Sequence, residues 1–295
     1  MQSFKIADDV YAIDLEMFDT EVLAAYVVDS DEPLLVETGY PNGVDILRDG
    51  LESVGVAFSD IEHAVISHVH IDHSGGAAAL VEANPDVSVY IHEATADHLL
   101  DPVALIDSSR DAMGVHFEKM GEPDPIPAEN VVRVNNDGAE VHLGDRSVSV
   151  VSTPGHAPDH LSVWDPQGGT LFANEAIGSY YPRMERWLPP STLPHFDIEA
   201  VRETITNLRE FDADRLAMSH FGVRPDPEAA LEAAAAALDR FERRIPQLYE
   251  EHGDLEATEH AVRAELVALE GYDGAIEDFE TRFQTQGFLR YAGLL

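Results

Sequence analysis

Three histidines and one aspartate lie within six consecutive residues of this chain, in the segment HVHIDH at residues 68–73. The largely apolar residues 63–67 directly before it are predicted to form a buried strand. Side chains two apart in an extended segment point the same way, so His68, His70 and Asp72 would share one side. His73 joins them only if the chain turns, and residues 74–76, Ser-Gly-Gly, supply that turn.

This segment predicts a metal site, because imidazole and carboxylate ligands together suit Zn²⁺, Fe or Mn²⁺. A polar loop without a metal is less favoured, since the cluster directly follows a buried strand. Three further candidate ligands also follow predicted strands: His156, Glu175 and His220. Each would be a weak signal alone, but strand ends along one edge of a sheet are where distant ligands can meet.

The hydrophobic pattern predicts an α+β fold with two sheets packed face to face and covered by helices. Residues 93–125 are predicted to hold a short helix and a loop, and residues 177–195 an ordered loop. Ser74 is the expected N-cap of the second helix. Strands are predicted over residues 10–13, 24–28, 34–36, 63–67, 87–91, 131–134, 147–151, 161–164, 170–173 and 215–219, and helices over 44–54, 74–83, 197–211 and 229–249.

Composition excludes several classes of site. The chain has no cysteine, which rules out disulfides, cysteine nucleophiles and thiolate metal ligands. Its 56 acidic and 18 basic residues give a formal net charge of −38, and the acids are scattered along the chain. This pattern indicates a folded protein with an acidic surface, as in extreme halophiles, where molar salt screens the self-repulsion. No basic stripe is present to bind nucleic acid.

No apolar run reaches the roughly 18 residues that a membrane span needs. Residues 1–9 also lack the basic and apolar pattern of a secretory signal. We therefore expect a cytoplasmic protein that acts on a small molecule, alone or as a homodimer.

The ordered set formed by residues 68–73, His156, Glu175 and His220 resembles the metallo-β-lactamase superfamily. The resemblance covers roughly residues 5–225 and implies an αββα four-layer sandwich with metals at one edge. It would place the sandwich in residues 1–226 and leave residues 227–295 as a helical C-terminal extension that caps the sandwich, shapes the cleft or forms a dimer contact. By the same resemblance, two divalent metal ions would be bound, and Zn²⁺ is expected in preference to Fe or Mn. The first would be held by His68, His70 and His156, the second by Asp72, His73 and His220, with Glu175 bridging them.

Two positions depart from the family pattern. The bridging residue is usually Asp, and here it is Glu175. The family's Asp-Thr-Gly appears as Glu37-Thr38-Gly39, and Glu37 would support the ligands from behind.

The resemblance and the predicted ligands together imply a hydrolase in which a metal-bound hydroxide attacks a small ester, thioester, lactone or related substrate. Asp72 would orient the nucleophile or pass its proton to the leaving group. The main competing hypothesis is an iron redox enzyme, such as a sulfur dioxygenase, although two-iron redox members usually carry Glu where this chain has His70. The ligand set is also compatible with a phosphodiesterase or nuclease, and with a binding protein that retains a vestigial site.

Three residues are predicted to contact the substrate: His160, Tyr180 and Arg183. His160 could equally be a structural histidine, and the aromatic loop that contains Tyr180 and Arg183 could instead pack within its own domain. Seven further histidines are predicted to lie on the surface or in the core: His63, His98, His116, His142, His195, His252 and His260.

Overall fold

Two mixed β-sheets form the centre of the molecule in the structure, a computed structural model that describes residues 3–191 and 194–295. The first sheet has seven strands in chain order, antiparallel from the first to the fourth and parallel from the fourth to the seventh. Its strands are β1 (Ser3–Ala7), β2 (Val10–Asp14), β3 (Ala24–Val28), β4 (Leu34–Val36), β5 (His63–Val65), β6 (Ser88–His92) and β7 (Val131–Val134).

The second sheet has six strands in the order β15-β14-β11-β10-β9-β8, and only β11 and β14 pair in parallel. A separate hairpin follows β11 in the chain. The strands of the sheet are β8 (Ala139–His142), β9 (Ser147–Ser152), β10 (Leu161–Asp165), β11 (Thr170–Phe172), β14 (Arg215–Met218) and β15 (Gly222–Arg224), and those of the hairpin are β12 (Ser179–Tyr181) and β13 (Arg186–Leu188).

The two sheets pack face to face, as the alternation along β3 illustrates. Ala24, Tyr26 and Val28 belong to a core that also contains residues of the second sheet. Ala25 and Val27 point the other way, into the core beneath the helices. Successive side chains of a strand alternate between its two faces, and all five residues of β3 are buried. Both faces of this strand are therefore buried. Helices cover the outer faces, so the predicted αββα four-layer sandwich is confirmed.

The helices fall into two groups along the chain. The first six lie between β4 and β7, and the last four follow the hairpin β12–β13. They are α1 (Val44–Ser53), α2 (Ile71–Ser74), α3 (Ala77–Ala83), α4 (Asp97–Leu100), α5 (Val103–Met113), α6 (Phe117–Met120), α7 (Ile198–Leu208), α8 (Pro227–His252), α9 (Leu255–Val262) and α10 (Gly274–Tyr291). The predicted boundary after residue 226 coincides with the start of α8, whose N-cap is Asp226; the division into two domains stays a prediction.

The prediction that Ser74 caps the second helix is wrong. The chain forms the short α2 directly after His70, and α3 begins only after Gly76. Ser74 lies at the end of α2, where its hydroxyl donates to the carbonyl of Val69 (2.9 Å). Two glycines lie between the helices. The position of Gly76 requires glycine, because an added Cβ there would lie 2.1 Å from the carbonyl oxygen of Thr38.

Two regions contain more regular structure than predicted. Residues 93–125 contain α4, α5 and α6, and the predicted loop at 177–195 contains the hairpin β12–β13; residues 192 and 193 of that loop lie outside the described residues. The strands β1, β8 and β15 were not predicted. Among the described residues, no helix combines the length and the apolar composition needed to cross a membrane.

Candidate metal centre

The predicted ligands follow the carboxyl ends of strands in both sheets. Residues 68–73 follow β5 in the first sheet, and His156, Glu175 and His220 follow β9, β11 and β14 in the second. These three strands of the second sheet run in the same direction. The structure brings all seven predicted ligands together in two adjacent groups, in each of which the ligand atoms lie within 4.8 Å of one another.

The first group contains three imidazole nitrogens at the corners of a small triangle. Nε2 of His68 lies 2.8 Å from Nδ1 of His70 and 3.1 Å from Nε2 of His156, and the third side measures 3.2 Å. Nδ1 of His156 donates to the carbonyl of Pro190 (3.1 Å), which leaves a lone pair on Nε2. Burial lowers the pKa of His156 to about 4 and that of His68 well below its usual value, so both rings are neutral and able to bind a metal.

The second group contains Asp72, His73 and His220. Nε2 of His73 lies 3.3 Å from Nε2 of His220, and Oδ2 of Asp72 lies 3.5 and 3.4 Å from these two nitrogens. Nδ1 of His220 donates to the carbonyl of Val22 (3.1 Å), which leaves its Nε2 facing Asp72 and His73. Although burial opposes the change, Asp72 and Glu37 raise the pKa of His73 well above its usual value. The electrostatics of this group therefore favour a positive charge.

Glu175 lies between the two groups. Its Oε2 is 3.3 Å from Nε2 of His156 and 3.7 Å from Nε2 of His68, in the first group. The same oxygen is 3.2 Å from Nε2 of His73 and 3.6 Å from Nε2 of His220, in the second. One carboxylate oxygen thus reaches nitrogens of both groups, which is the arrangement that a bridging ligand requires.

Glu37 holds three segments of the site together from behind. Its Oε2 accepts from the backbone N–H of Ser67 (3.2 Å), and its Oε1 accepts from the hydroxyl of Ser219 (2.8 Å). Oε1 also lies 3.1 Å from Nδ1 of His73. A carboxylate behind a ligating histidine fixes the orientation of the ring and raises the basicity of the nitrogen that faces the metal.

Asp159 anchors the backbone of the 68–73 segment, a role that the sequence did not reveal. Its Oδ2 accepts from the N–H of Val69 (3.1 Å) and from the hydroxyl of Thr95 (2.7 Å). The one indication of this role in the sequence was that Asp159 lies between the predicted ligand His156 and β10.

His160 is not among the described residues that line the cavity, and its contact with the substrate stays a prediction. Its ring is fully buried and stacks on His68, with centroids 5.3 Å apart. Nδ1 pairs with the hydroxyl of Thr153 (2.8 Å), and Nε2 accepts from the backbone N–H of Glu175 (3.2 Å). His160 therefore positions the main chain of the bridging residue.

Tyr180 and Arg183 are also absent from the cavity wall in the described residues, and their contact with the substrate stays a prediction. In the strand β12, Ser179 and Tyr181 line the cavity, and the alternation of a strand turns Tyr180 away onto Trp187. Both carboxylate oxygens of Asp19 accept from the guanidinium of Arg183 (2.9 Å each). That guanidinium is thus already paired.

A cavity of about 590 Å³ opens onto the centre, within the usual range for small-molecule sites. Five of the ligands face it: His70, Asp72, His156, Glu175 and His220. His98 and His195, predicted to be surface or core residues, also line it. Its opposite wall is largely apolar and includes Met17, Phe18, Leu105, Met113, Phe279 and Phe283.

One carboxyl group that the sequence did not reveal lies beside these apolar side chains. Glu280 belongs to α10 and accepts from the hydroxyl of Tyr181 (2.6 Å) and from the amide of Gln284 (3.2 Å). Its helical spacing could have indicated this position, because Glu280 lies on the same side of α10 as Ile276, Phe279 and Phe283.

The donor set fits divalent metal ions. Nε2 of His68 and Nε2 of His156 belong to neutral rings and lie 3.1 Å apart, where a shared cation would satisfy both nitrogens. The buried carboxylate of Glu37 and the partly exposed carboxylate of Glu175 also favour a positive charge between them. Imidazole with carboxylate accommodates Zn²⁺, Fe or Mn²⁺.

Among curated proteins, the chain is similar to a coenzyme F₄₂₀H₂ oxidase from Methanothermobacter marburgensis, with 25% identity over 84% of this chain and 62% of that protein. It is also similar to an acyl-coenzyme A thioesterase from Gallus gallus, with 29% identity over 47% of this chain and 49% of that protein. The chain therefore spans less than two thirds of the length of these relatives.

Solved structures confirm the fold. An archaeal metallo-β-lactamase superfamily protein from Sulfolobus tokodaii superposes with a TM-score of 0.69 and 19% identity, over 92% of this chain and 93% of that one. The family model described as the metallo-beta-lactamase superfamily matches residues 19–220. Because this match spans most of the sandwich and all seven residues of the two donor groups, the chain belongs to the metallo-β-lactamase superfamily.

Proposed function

We propose that the chain is a metal-dependent hydrolase that cleaves a small ester, thioester or lactone. The observation that carries the proposal is the pair of buried donor groups that share Oε2 of Glu175 and open onto a cavity of substrate size. In this proposal His68, His70 and His156 would hold the first metal ion, Asp72, His73 and His220 would hold the second, and Glu175 would be shared between them. Zinc is the metal that we expect.

Metal ions bound by these residues would supply a water of lowered pKa, about 7, and a Lewis acid for an acyl carbonyl. Asp72 is the residue that we assign to the proton. Its carboxylate faces the cavity and is 21% exposed, so one oxygen can contact a water molecule beside the centre. From that position it orients the water and can transfer a proton to the leaving group.

Glu37 and His160 act through other residues in this scheme. Glu37 fixes the ring of His73, and His160 fixes the backbone of Glu175. Both are positioning residues, because neither lines the cavity among the described residues.

A redox function on the same fold is the second candidate, favoured by the similarity to the coenzyme F₄₂₀H₂ oxidase. His70 argues against it, because its imidazole belongs to the first donor triangle where two-iron redox members usually place Glu. The similarity to an acyl-coenzyme A thioesterase supports hydrolysis.

The test is a substrate panel in high salt, combined with elemental analysis of protein purified without added metal. We expect stoichiometric zinc and hydrolysis of at least one ester, thioester or lactone. Stoichiometric iron with oxygen consumption would instead establish the redox function. Faster cleavage of bis-p-nitrophenyl phosphate than of every carboxylic ester and thioester would establish a phosphodiesterase.

A further inference from the structure

The wall of the cavity opposite the ligands comes from three separate parts of the chain. Phe18 precedes β3, Leu105 and Met113 belong to α5, and Phe279 and Phe283 belong to α10. The ring of Phe18 lies 5.4 Å from that of Phe279, so the first and last of these parts are in direct contact. The C-terminal helix is therefore part of the substrate cavity.

The charges in this wall have one sign. Among the described residues that line the cavity, none is a lysine or an arginine. Two cations that contact residues of the lining already have partners: Arg282 donates to the carbonyl of Ala112 (2.8 Å), and the amino group of Lys119 lies 5.3 Å from the centroid of the Phe18 ring. A carboxylate or phosphate buried against this wall would therefore have no lysine or arginine of the cavity lining as its partner.

Glu280 adds a further obstacle to an anion there. Its two oxygens accept from Tyr181 and Gln284, which fixes the carboxyl group in the wall beside Phe279 and Phe283. Burial raises the pKa of Tyr181 well above its usual value, so the phenol stays protonated and remains the donor of this hydrogen bond. Burial also raises the pKa of Glu280, and in either protonation state its side chain presents oxygen atoms, and no cation, to the cavity.

We propose that the substrate carries an uncharged apolar group that occupies the space between α5 and α10, and that Glu280 is a specificity-determining residue that excludes substrates with an anionic group there. This inference rests on the proposed function, because it requires the reacting carbonyl to lie at the metal centre. The inferred site narrows the substrate class to apolar esters, thioesters or lactones in which the group between α5 and α10 is neutral. The physical reason is that an anion desolvated by this wall loses its hydration without gaining an ion pair.

The test uses two ligands with the same metal-binding head and different tails. Octanohydroxamate and its analogue with a terminal carboxylate are titrated into the metal-loaded protein by calorimetry in high salt. We expect the ligand with the neutral tail to bind at least about 30-fold more tightly. The corresponding free energy is only a modest share of what it costs to bury an unpaired carboxylate. Equal affinities within about twofold, or tighter binding of the anionic tail, would overturn the inference.

The role of Glu280 is tested by the ratio of the two affinities in variants. Glu280→Gln removes the charge and keeps the size, and we expect the ratio to fall at least about threefold. Asp278→Asn removes the same charge two residues away on α10, where Asp278 pairs with Arg263 outside the cavity, and should leave the ratio unchanged. An unchanged ratio in Glu280→Gln would refute the role of this residue.

Failure of the inference and failure of the proposed function give different results. If the protein prefers the neutral hydroxamate but hydrolyses no ester, thioester or lactone, the inference about the cavity is supported and the proposed activity is wrong. A protein that hydrolyses carboxylate-terminated esters faster than neutral esters of equal length is a hydrolase, and the inference is then wrong.

Discussion

Nδ1 of His73 lies 3.1 Å from Oε1 of Glu37, and both side chains are completely buried. The longer glutamate occupies a position where the family usually has aspartate, and its backbone adopts a φ of +70°, which is uncommon for a residue other than glycine. In this conformation the carboxylate contacts His73 while it also accepts from Ser67 and Ser219. The contact therefore couples one metal-facing ring to the ends of β5 and β14.

We predict that Glu37→Gln weakens the second metal site more than the first. The amide keeps the length of the side chain but replaces one acceptor with a donor, so either the N–H of Ser67 or the groups at Oε1 lose their partner. Loss of such a supporting carboxylate typically lowers metal affinity or activity by about 10- to 100-fold. Metal content at limiting free zinc measures the effect. Glu32→Gln is the control, because Glu32 pairs with His63 outside the centre; equal metal content in both variants would contradict the prediction.

His68→Ala and His156→Ala should each abolish activity while the fold is retained. Each substitution removes one corner of the triangle of nitrogens, and the remaining ligands cannot complete the first metal site. We expect kcat/KM to fall by at least about 1000-fold, because the activated water is lost. His63→Ala removes a histidine outside the centre and should have little effect on kcat. Activity within a few-fold of the native protein in His68→Ala would exclude the assigned first site; circular dichroism checks the fold.

Glu175→Asp is expected to lower the metal content from two ions towards one. The backbone of Glu175 is held by its bond to His160, so a shorter side chain withdraws its oxygen from His73 and His220. Glu175→Gln keeps the length of the side chain and removes its charge. Comparison of the two variants therefore separates the effect of side-chain length from the effect of charge. Elemental analysis after gel filtration gives the stoichiometry, and two tightly bound ions in Glu175→Asp would show that the bridge does not depend on this length.

Removal of the metal ions should destabilise the protein. The centre joins segments from both sheets, and its carboxylates and imidazoles would lose their common cation. A ligand at about 100 times its dissociation constant adds about 2.7 kcal/mol of stability, and each kcal/mol shifts the Tm of a chain of this size by about 2–4 °C. We therefore expect chelation to lower the Tm by at least about 5 °C per tightly bound ion. Readdition of zinc should restore it; an unchanged Tm would mean that the donor groups hold no metal in the native protein.

The convergence of the candidate ligands could be predicted from the sequence because each follows an apolar strand, and strand ends meet at one edge. The segment 68–73 illustrates this: its side chains converge as predicted, although Gly75 and Gly76 shorten the helix that follows. What could not be predicted depends on contacts between distant segments. The side of β12 that faces the cavity is fixed by pairing with β13, and an apparent loop gave no means of choosing Tyr181 over Tyr180.

The same limit applies to the charged residues. Arg183 looked available for a substrate because the sequence does not reveal that Asp19, more than 160 positions away, pairs with it. Glu280 sits on an apolar helical face, but only the packing of α10 against the cavity shows what it faces. Local patterns therefore predicted the metal centre, while the substrate cavity became visible only in the folded chain.

Salt should stabilise the fold strongly. With 56 acidic and 18 basic residues, most carboxylates have no basic partner, and single arginines already serve several acids. Arg202, for example, contacts Glu199, Asp239 and Glu242. In dilute buffer the remaining carboxylates repel one another across the surface, whereas at about 1 M salt the Debye length falls to about 3 Å.

We expect the Tm to be lower in about 0.1 M KCl than in about 3 M KCl, with most of the increase complete near 1 M, where screening saturates. The shape of this curve is the control. Preferential exclusion of salt would raise the Tm steadily up to the highest concentration, whereas screening of the net charge of −38 gives a plateau. Equal unfolding temperatures at the two concentrations would contradict the prediction and would mean that self-repulsion of the acidic surface contributes little to the stability of this chain.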